Sequence, residues 1–223
     1  MKKSVLITGA TGGLGVTLAS DLLSKGYELY CVGRKKDVLD KLESIGCHTI
    51  LCDFLDEDWC GKVLDFCPKT DILINNAGIF PILTLSESTE KDYKDCFDIN
   101  VKAPFMLMKS YIPKMISSGY GRVVNILSSS AYGGSPDTGL YCSSKHALLG
   151  LTRSAFLEYR DTCVRVYSIS PGSMKTDMGK TDTRQDFTTF IDTKEVSEFI
   201  VYTLGLNNNM IIDEVRLNRF TIR

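Results

Sequence analysis

Short apolar runs alternate with segments of helical periodicity along almost the whole chain. The runs have the length of strands and cover residues 5–8, 28–32, 49–52, 72–75, 123–127, 164–169 and 210–212. Helical spacing lies between them, as in Leu14, Leu18 and Leu22. Strands that are apolar throughout are buried on both faces, which requires helices on both sides of a parallel sheet. We therefore predict an α/β fold with a doubly wound, seven-stranded parallel sheet, in one domain covering residues 1–223.

Composition limits the partners of this fold. The 223 residues include 26 basic and 27 acidic side chains, with no long run of either sign. This balance predicts a small-molecule partner and neither a nucleic acid nor a membrane. The eight cysteines are scattered and there are two histidines, so we expect no metal site and reduced, buried thiols in a cytoplasmic protein. The first apolar run is too short for a signal peptide or a membrane span.

A glycine-rich segment joins the first apolar run to the first helical pattern. It reads Thr8, Gly9, Ala10, Thr11, Gly12, Gly13, Leu14 and Gly15. Glycines let the backbone turn sharply and approach a pyrophosphate, whose charge is stabilised by the free N–H groups and the dipole of a helix N-terminus. A tight structural turn is the alternative, but the position after the first strand of an α/β chain favours nucleotide binding.

A second motif follows the fourth apolar run, where Asn76, Ala77 and Gly78 come after Asn75. Asparagine at a strand end can simply hold a structural turn. At the point where the strand order of a doubly wound sheet reverses, the small Ala-Gly pair also leaves room for an adenosine ribose.

A third motif combines a tyrosine, a lysine and a serine. Tyr141 and Lys145 are four residues apart at the start of a helical pattern, so they share a helix face, and Ser128 ends the fifth apolar run. An ammonium near a phenol lowers a pKa that is normally about 10. The pattern therefore predicts a tyrosine that exchanges a proton with a substrate, whereas an isolated pair would be an ordinary exposed helix surface.

These motifs together resemble the short-chain dehydrogenase/reductase family, in its compact single-domain branch. Further matches are Asp53 after the third run, Asn100, and Pro171 and Gly172 after the sixth run with Thr176 following. The resemblance covers nearly the whole chain. It implies a Rossmann-like sheet with the strand order 3-2-1-4-5-6-7, an NAD(P)-dependent oxidoreductase acting on CH–OH groups, and a homodimer or homotetramer.

The resemblance also implies a role for each catalytic residue. Tyr141 would be the general acid in carbonyl reduction and the base in alcohol oxidation. Ser128 would hydrogen-bond the substrate oxygen, with a neighbouring serine as the alternative. Lys145 would bind the nicotinamide ribose and lower the pKa of Tyr141, and Asn100 would hold a water of the proton relay. The expected cofactor contacts are Thr8, Gly9, Thr11, Gly13, Leu14, Gly15, Arg34, Lys35, Asp53, Phe54, Asn76, Ala77, Gly78, Tyr141, Lys145, Pro171, Gly172, Met174 and Thr176.

Residues after the second run predict the choice of cofactor. Dinucleotide folds that prefer NAD place an acidic residue there to accept hydrogen bonds from ribose hydroxyls. This chain has Gly33 at that position, followed by Arg34 and Lys35. A guanidinium can bind a phosphate through two hydrogen bonds and a lysine adds a point charge. We predict NADP(H) over NAD(H); a merely solvated basic start to the next helix is the alternative.

The predicted function is therefore NADPH-dependent, reversible reduction of a ketone or aldehyde, with 3-oxoacyl compounds among the candidates. A catalytically silent dinucleotide-sensing protein of the same fold is the alternative, and the presence of Asn100, Ser128, Tyr141 and Lys145 argues against it. The substrate stays open, because only 51 residues follow Gly172 and they contain no glycine-rich tail. Candidate pocket walls are Phe80, Pro81, Tyr132, Pro136, Met174 and Met178.

Overall fold

Parallel strands form one sheet in the computed structural model, which describes residues 2–207 and 209–220. Within these residues the strands are β1 Ser4–Thr8, β2 Glu28–Gly33, β3 His48–Leu51, β4 Ile72–Asn75, β5 Gly121–Ile126, β6 Val164–Pro171 and β7 Glu214–Leu217. They pair in the order β3-β2-β1-β4-β5-β6-β7, and every pairing is parallel. The predicted doubly wound sheet and its strand order are confirmed.

Helices cover both faces of this sheet. Their bounds are α1 Gly13–Ser24, α2 Lys36–Ser44, α3 Trp59–Phe66, α4 Glu90–Phe97, α5 Ala103–Ser118, α6 Gly139–Tyr159, α7 Asp177–Lys180 and α8 Thr193–Leu204. Apolar side chains of α1 and α8 pack on one face, and those of α3 and α5 pack on the other. Among the described residues, no helix has both the length and the apolar character that crossing a membrane requires.

The central strands differ from the edge strands in burial. Every residue of β4 and β5 is buried, as continuous apolar runs predict, whereas the edge strands β3 and β7 are only partly covered. The predicted strand at 210–212 is wrong, because the segment that pairs with β6 is Glu214–Leu217. An edge strand can alternate polar and apolar residues, so a continuous apolar run does not mark it. The third strand begins and ends one residue earlier than predicted.

A π-helical turn interrupts the long helical segment that follows β4. It covers Asp98–Lys102 and lies between α4 and α5. One extra residue in a helical turn changes the direction of the side chains around it, and such turns are frequent at functional sites. Asn100 lies in this turn and is fully buried.

Candidate functional site

A cavity of about 580 Å³ opens at the carboxyl ends of the strands. It lies where β1 has β2 on one side and β4 on the other, which is the point where the strand order reverses and where doubly wound folds bind their ligands. Its volume falls within the range of roughly 300–1,000 Å³ that is usual for ligand pockets. The predicted cofactor contacts that line it are Gly9, Thr11, Gly13, Leu14, Arg34, Lys35, Asp53, Phe54, Asn76, Ala77, Gly78, Tyr141, Lys145, Met174 and Thr176.

Six predicted site residues do not line the cavity: Thr8, Gly15, Asn100, Ser128, Pro171 and Gly172. Thr8 illustrates how such a residue contributes, since its hydroxyl oxygen accepts hydrogen bonds from the backbone N–H groups of Asn76 and Ala77, each at 3.1 Å. It therefore joins two lining segments without facing the cavity.

Other lining residues were not predicted as cofactor contacts. They are Gly12, Val32, Gly33, Cys52, Ile79, Ile99, Ile126, Leu127, Asp177 and Met178. Several of these lie at or next to the carboxyl ends of β2, β3 and β5, so the general rule for doubly wound sheets could have found them. Asp177 and Ile99 carried no sequence signal, because their positions depend on how α7 and the π-helical turn pack.

The glycine-rich turn and the segment after β4 support each other. Gly9 has φ +63°, and a Cβ there would lie 2.7 Å from the Cα of Ala77. The side-chain amide of Asn76 donates to the carbonyl oxygens of Thr8 and Gly9, at 3.1 and 3.0 Å. The structural and the binding interpretations of this asparagine are therefore compatible, since the contacts that hold the turn also keep its backbone open to the cavity.

Ion pairs hold the two predicted phosphate-binding cations at the cavity wall. Arg34 Nη1 lies 3.2 Å from Asp53 Oδ2, and Lys35 Nζ lies 3.2 Å from Asp177 Oδ2. At least a third of each of these side chains is exposed, so neither pair contributes much to folding stability. The Asp53 carboxylate thus contacts Arg34 as well as facing the cavity.

Tyr141 lies in the first turn of α6 and faces the same cavity. Burial raises the pKa of Tyr141 to about 12, and the Ser128 hydroxyl close to the phenol opposes part of that rise. Ser128 precedes a 3₁₀ turn that contains Ser129 and Ser130, and it is the serine whose hydroxyl lowers the pKa of the phenol. The ring of Phe80 packs edge-on against Tyr141, with 4.6 Å between ring centroids.

Lys145 is buried one helical turn beyond Tyr141. Its Nζ donates to the carbonyl oxygen of Ile126 at 2.9 Å and lies 5.7 Å from the centroid of the Tyr141 ring. Burial lowers the pKa of Lys145 to about 8. The prediction that Lys145 brings the pKa of Tyr141 below its usual value is wrong for the cofactor-free protein, because the ammonium points to a backbone carbonyl and burial of the phenol dominates.

Asn100 is held by protein groups on every side. Its Oδ1 accepts from the N–H of Ile79 at 2.9 Å, and its Nδ2 donates to the Ile79 carbonyl at 3.0 Å. The same Nδ2 also lies 3.0 Å from the hydroxyl of Ser144, which is in α6. The side chain therefore connects the π-helical turn to the helix that carries Tyr141 and Lys145, and it has no donor left over for a water.

Of the six candidate pocket walls, Met174 and Met178 line the cavity, and Phe80, Pro81, Tyr132 and Pro136 do not. The Phe80 ring packs against Tyr141. Tyr132 instead packs beside Leu127 and Leu148 and hydrogen-bonds Glu214 in β7 at 3.0 Å. The apolar surface near Tyr141 is thus smaller than the sequence suggested.

Comparison with known proteins places this geometry among dehydrogenases. A family model described as short chain dehydrogenase matches residues 3–186. A 3-oxoacyl-[acyl-carrier-protein] reductase of Rickettsia felis is 35% identical over 179 residues, which cover 79% of this chain and 74% of the relative.

Solved structures agree with this match. A 4-hydroxyisoleucine dehydrogenase mutant complexed with NADH and succinate is 25% identical, with a TM-score of 0.89 and 97% of each chain covered. The closed form of a serine dehydrogenase complexed with NADP+ is 22% identical, with a TM-score of 0.86 over 96% of this chain and 94% of that chain, and it shares the fold.

Proposed function

Since the chain belongs to the short-chain dehydrogenase family and is an NAD(P)-dependent oxidoreductase, we propose that it reduces a carbonyl to an alcohol with NADPH. The observation that carries the proposal is one cavity with two chemically different ends. Arg34 and Lys35 line one end, and Tyr141, next to Ser128, lines the other. The reverse reaction, alcohol oxidation, would use the same groups.

The residues that line the cavity fit a phosphorylated dinucleotide. The open backbone of the glycine-rich turn suits a pyrophosphate, and Arg34 and Lys35 would bind the additional phosphate. Asp53 and Phe54 would contact the adenine, and Lys145 would contact the ribose next to the nicotinamide. When bound, the dinucleotide supplies the hydride that reduces the carbonyl carbon.

Tyr141 would supply the proton. Its pKa of about 12 in the cofactor-free protein keeps the phenol protonated at neutral pH, which is the form that can donate to a carbonyl oxygen. Ser128 would hydrogen-bond the same oxygen and fix its direction. Because the pKa of Lys145 is about 8, its ammonium is present at neutral pH and would attract the anionic cofactor.

We do not propose that the side chain of Asn100 binds the relay water. Both N–H groups of its amide are already bonded, to Ile79 and Ser144, so a relay water would contact Asn100 through a carbonyl oxygen, and we propose the main-chain one. The side chain would act by holding α6 in position against the π-helical turn.

The substrate class proposed is a 3-oxoacyl thioester or a ketone of similar shape. The Rickettsia felis relative, at 35% identity, is a 3-oxoacyl-[acyl-carrier-protein] reductase. Met174 and Met178 give the cavity apolar surface that suits an acyl chain, and the Phe80 ring packs against Tyr141. A hydroxy acid is the second candidate, because the 4-hydroxyisoleucine dehydrogenase resembles the chain over nearly all of its length.

The test is a reductase assay with both reduced dinucleotides and a panel of acetoacetyl thioester, simple ketones and 2-oxo and 3-oxo acids. We expect absorbance at the nicotinamide band to fall when NADPH and the thioester are present. In Tyr141→Phe we expect no such fall. Tight binding of NADPH with no turnover on any carbonyl would instead identify the catalytically silent dinucleotide-binding protein.

A further inference from the structure

The space around Gly33, and not its backbone conformation, restricts this position to glycine. It ends β2 and does not have the positive φ seen at Gly9, so any residue could adopt its conformation. A Cβ at Gly33, however, would lie 2.4 Å from Cγ2, 2.8 Å from Oγ1 and 3.1 Å from Cβ of Thr11. The first two distances are far below van der Waals contact.

Thr11 cannot easily give way. Both of its γ atoms face Gly33. Rotation about χ1 to another staggered position puts hydrogen at only one of these two positions and leaves a γ atom at the other. The backbone on either side is also tied down. Ala10 N donates to the Val32 carbonyl at 2.9 Å, and Arg34 N donates to the Thr11 hydroxyl oxygen at 3.3 Å. Thr11 itself is only 9% exposed.

We propose that Thr11 is a specificity-determining residue for the cofactor. It occupies the space through which an acidic side chain at the end of β2 would have to leave the backbone, so the pair Thr11 and Gly33 together excludes the carboxylate that NAD-preferring folds use. The inference rests on the proposed preference for NADPH, and it adds that the preference cannot be reversed at Gly33 alone.

Melting temperature tests the steric part without any cofactor. Gly33→Ala adds the smallest possible Cβ and is expected to lower the melting temperature by roughly 3–10 °C, as overpacking of a domain of this size does. Thr11→Ser in the same background should recover part of the loss and Thr11→Gly most of it, and a double-mutant cycle isolates the coupling from the cost of each single change. Gly134→Ala is the control, because a Cβ there meets nothing within 4 Å and the residue lies outside the helices and strands.

Dinucleotide affinity tests the functional part. Gly33→Asp alone is expected to be destabilised and to gain less than about threefold in NADH affinity. Thr11→Gly combined with Gly33→Asp should shift the NADPH-to-NADH ratio of dissociation constants toward NADH by about tenfold or more, because the carboxylate can then accept ribose hydrogen bonds.

Two results would overturn the inference: a Gly33→Ala protein that melts like the control, or a Gly33→Asp protein that is stable and prefers NADH with Thr11 in place. Equal affinity of the unmutated protein for the two dinucleotides would contradict the proposed function instead, and the melting series and the shift in the double variant would still decide the role of Thr11.

Discussion

Lys35 and Asp177 form an ion pair between two segments that line the cavity, with 3.2 Å between Nζ and Oδ2. Lys35 precedes α2, and Asp177 is the first residue of α7, directly after Thr176. In the proposed complex the same lysine would bind the additional phosphate, so the carboxylate and the phosphate compete for one cation.

Asp177→Asn should therefore raise NADPH affinity by more than it raises NADH affinity. Exposed ion pairs contribute about 0.2–1 kcal/mol, so a gain of roughly two- to fivefold is expected. Titration calorimetry at low ionic strength measures it, and added salt should shrink the difference. Asp161→Asn, in the exposed turn after α6, is a matched control that should change neither affinity.

Arg34→Glu should reverse or flatten the cofactor preference. Replacing a cation that would bind the phosphate with a carboxylate removes a charged hydrogen bond and adds repulsion, so NADPH affinity should fall by about 10- to 100-fold. Lys36→Glu is the control, because Lys36 is paired with Asp40 on α2 and does not line the cavity. If both variants lost NADPH affinity equally, the effect would be general electrostatics and not a specific phosphate contact.

Tyr141→Phe should reduce turnover by about 10²–10⁴ while cofactor binding is retained, because the change removes the proton donor and almost no volume. Steady-state kinetics on an accepted carbonyl, paired with a dinucleotide titration, separates the two effects. Tyr202→Phe removes a hydroxyl from an exposed tyrosine and should keep full activity. Wild-type turnover in Tyr141→Phe would mean that another group donates the proton.

Lys145 should make cofactor affinity depend on pH. Its pKa is lowered to about 8, so in the free protein the ammonium is present below that pH and is lost above it. Affinity for the anionic dinucleotide should then fall by roughly tenfold between about pH 7.5 and 9.5. Two other titratable groups lie near Lys145. Tyr141 has a pKa of about 12, and burial raises the pKa of Cys96 above its ordinary value. Lys145→Met should bind more weakly and show no such fall, whereas a fall of equal size in that variant would assign it to another group.

The chain is expected to form a homodimer or homotetramer. Large apolar side chains remain exposed on α5 and α6, namely Phe105 (44%), Ile116 (41%) and Leu157 (59%), and a symmetric interface between copies of the chain would bury them. Sedimentation velocity at micromolar concentration measures the state. Leu157→Glu should move the distribution toward the monomer, and a chain that is monomeric without that change would contradict the expectation.

Sequence patterns were sufficient for the sheet and for most of the cavity wall, because both depend on local signals. The continuous apolar runs mark the buried central strands, and the turn containing Gly9 follows the first of them. The edge strand β7 was misplaced, since an edge strand is covered on fewer sides and needs no continuous run.

The electrostatics of Tyr141 and Lys145 could not be predicted in the same way. Helical spacing places the two side chains on one face, but it does not show that Lys145 Nζ bonds to the Ile126 carbonyl. The steric relation between Thr11 and Gly33 was equally hidden, because it joins residues 22 positions apart through the pairing of β1 with β2.

The hydrogen bonds from Asn76 to Thr8 and Gly9 join residues more than 60 positions apart. Such contacts form only after a long segment of chain has been closed, and loop closure of this kind is slow compared with the folding of local structure. The glycine-rich turn therefore acquires its supported shape only when β4 docks beside β1. A chain that ended after β2 would contain the whole glycine-rich turn but lack Asn76, the residue whose side chain holds the Thr8 and Gly9 carbonyls.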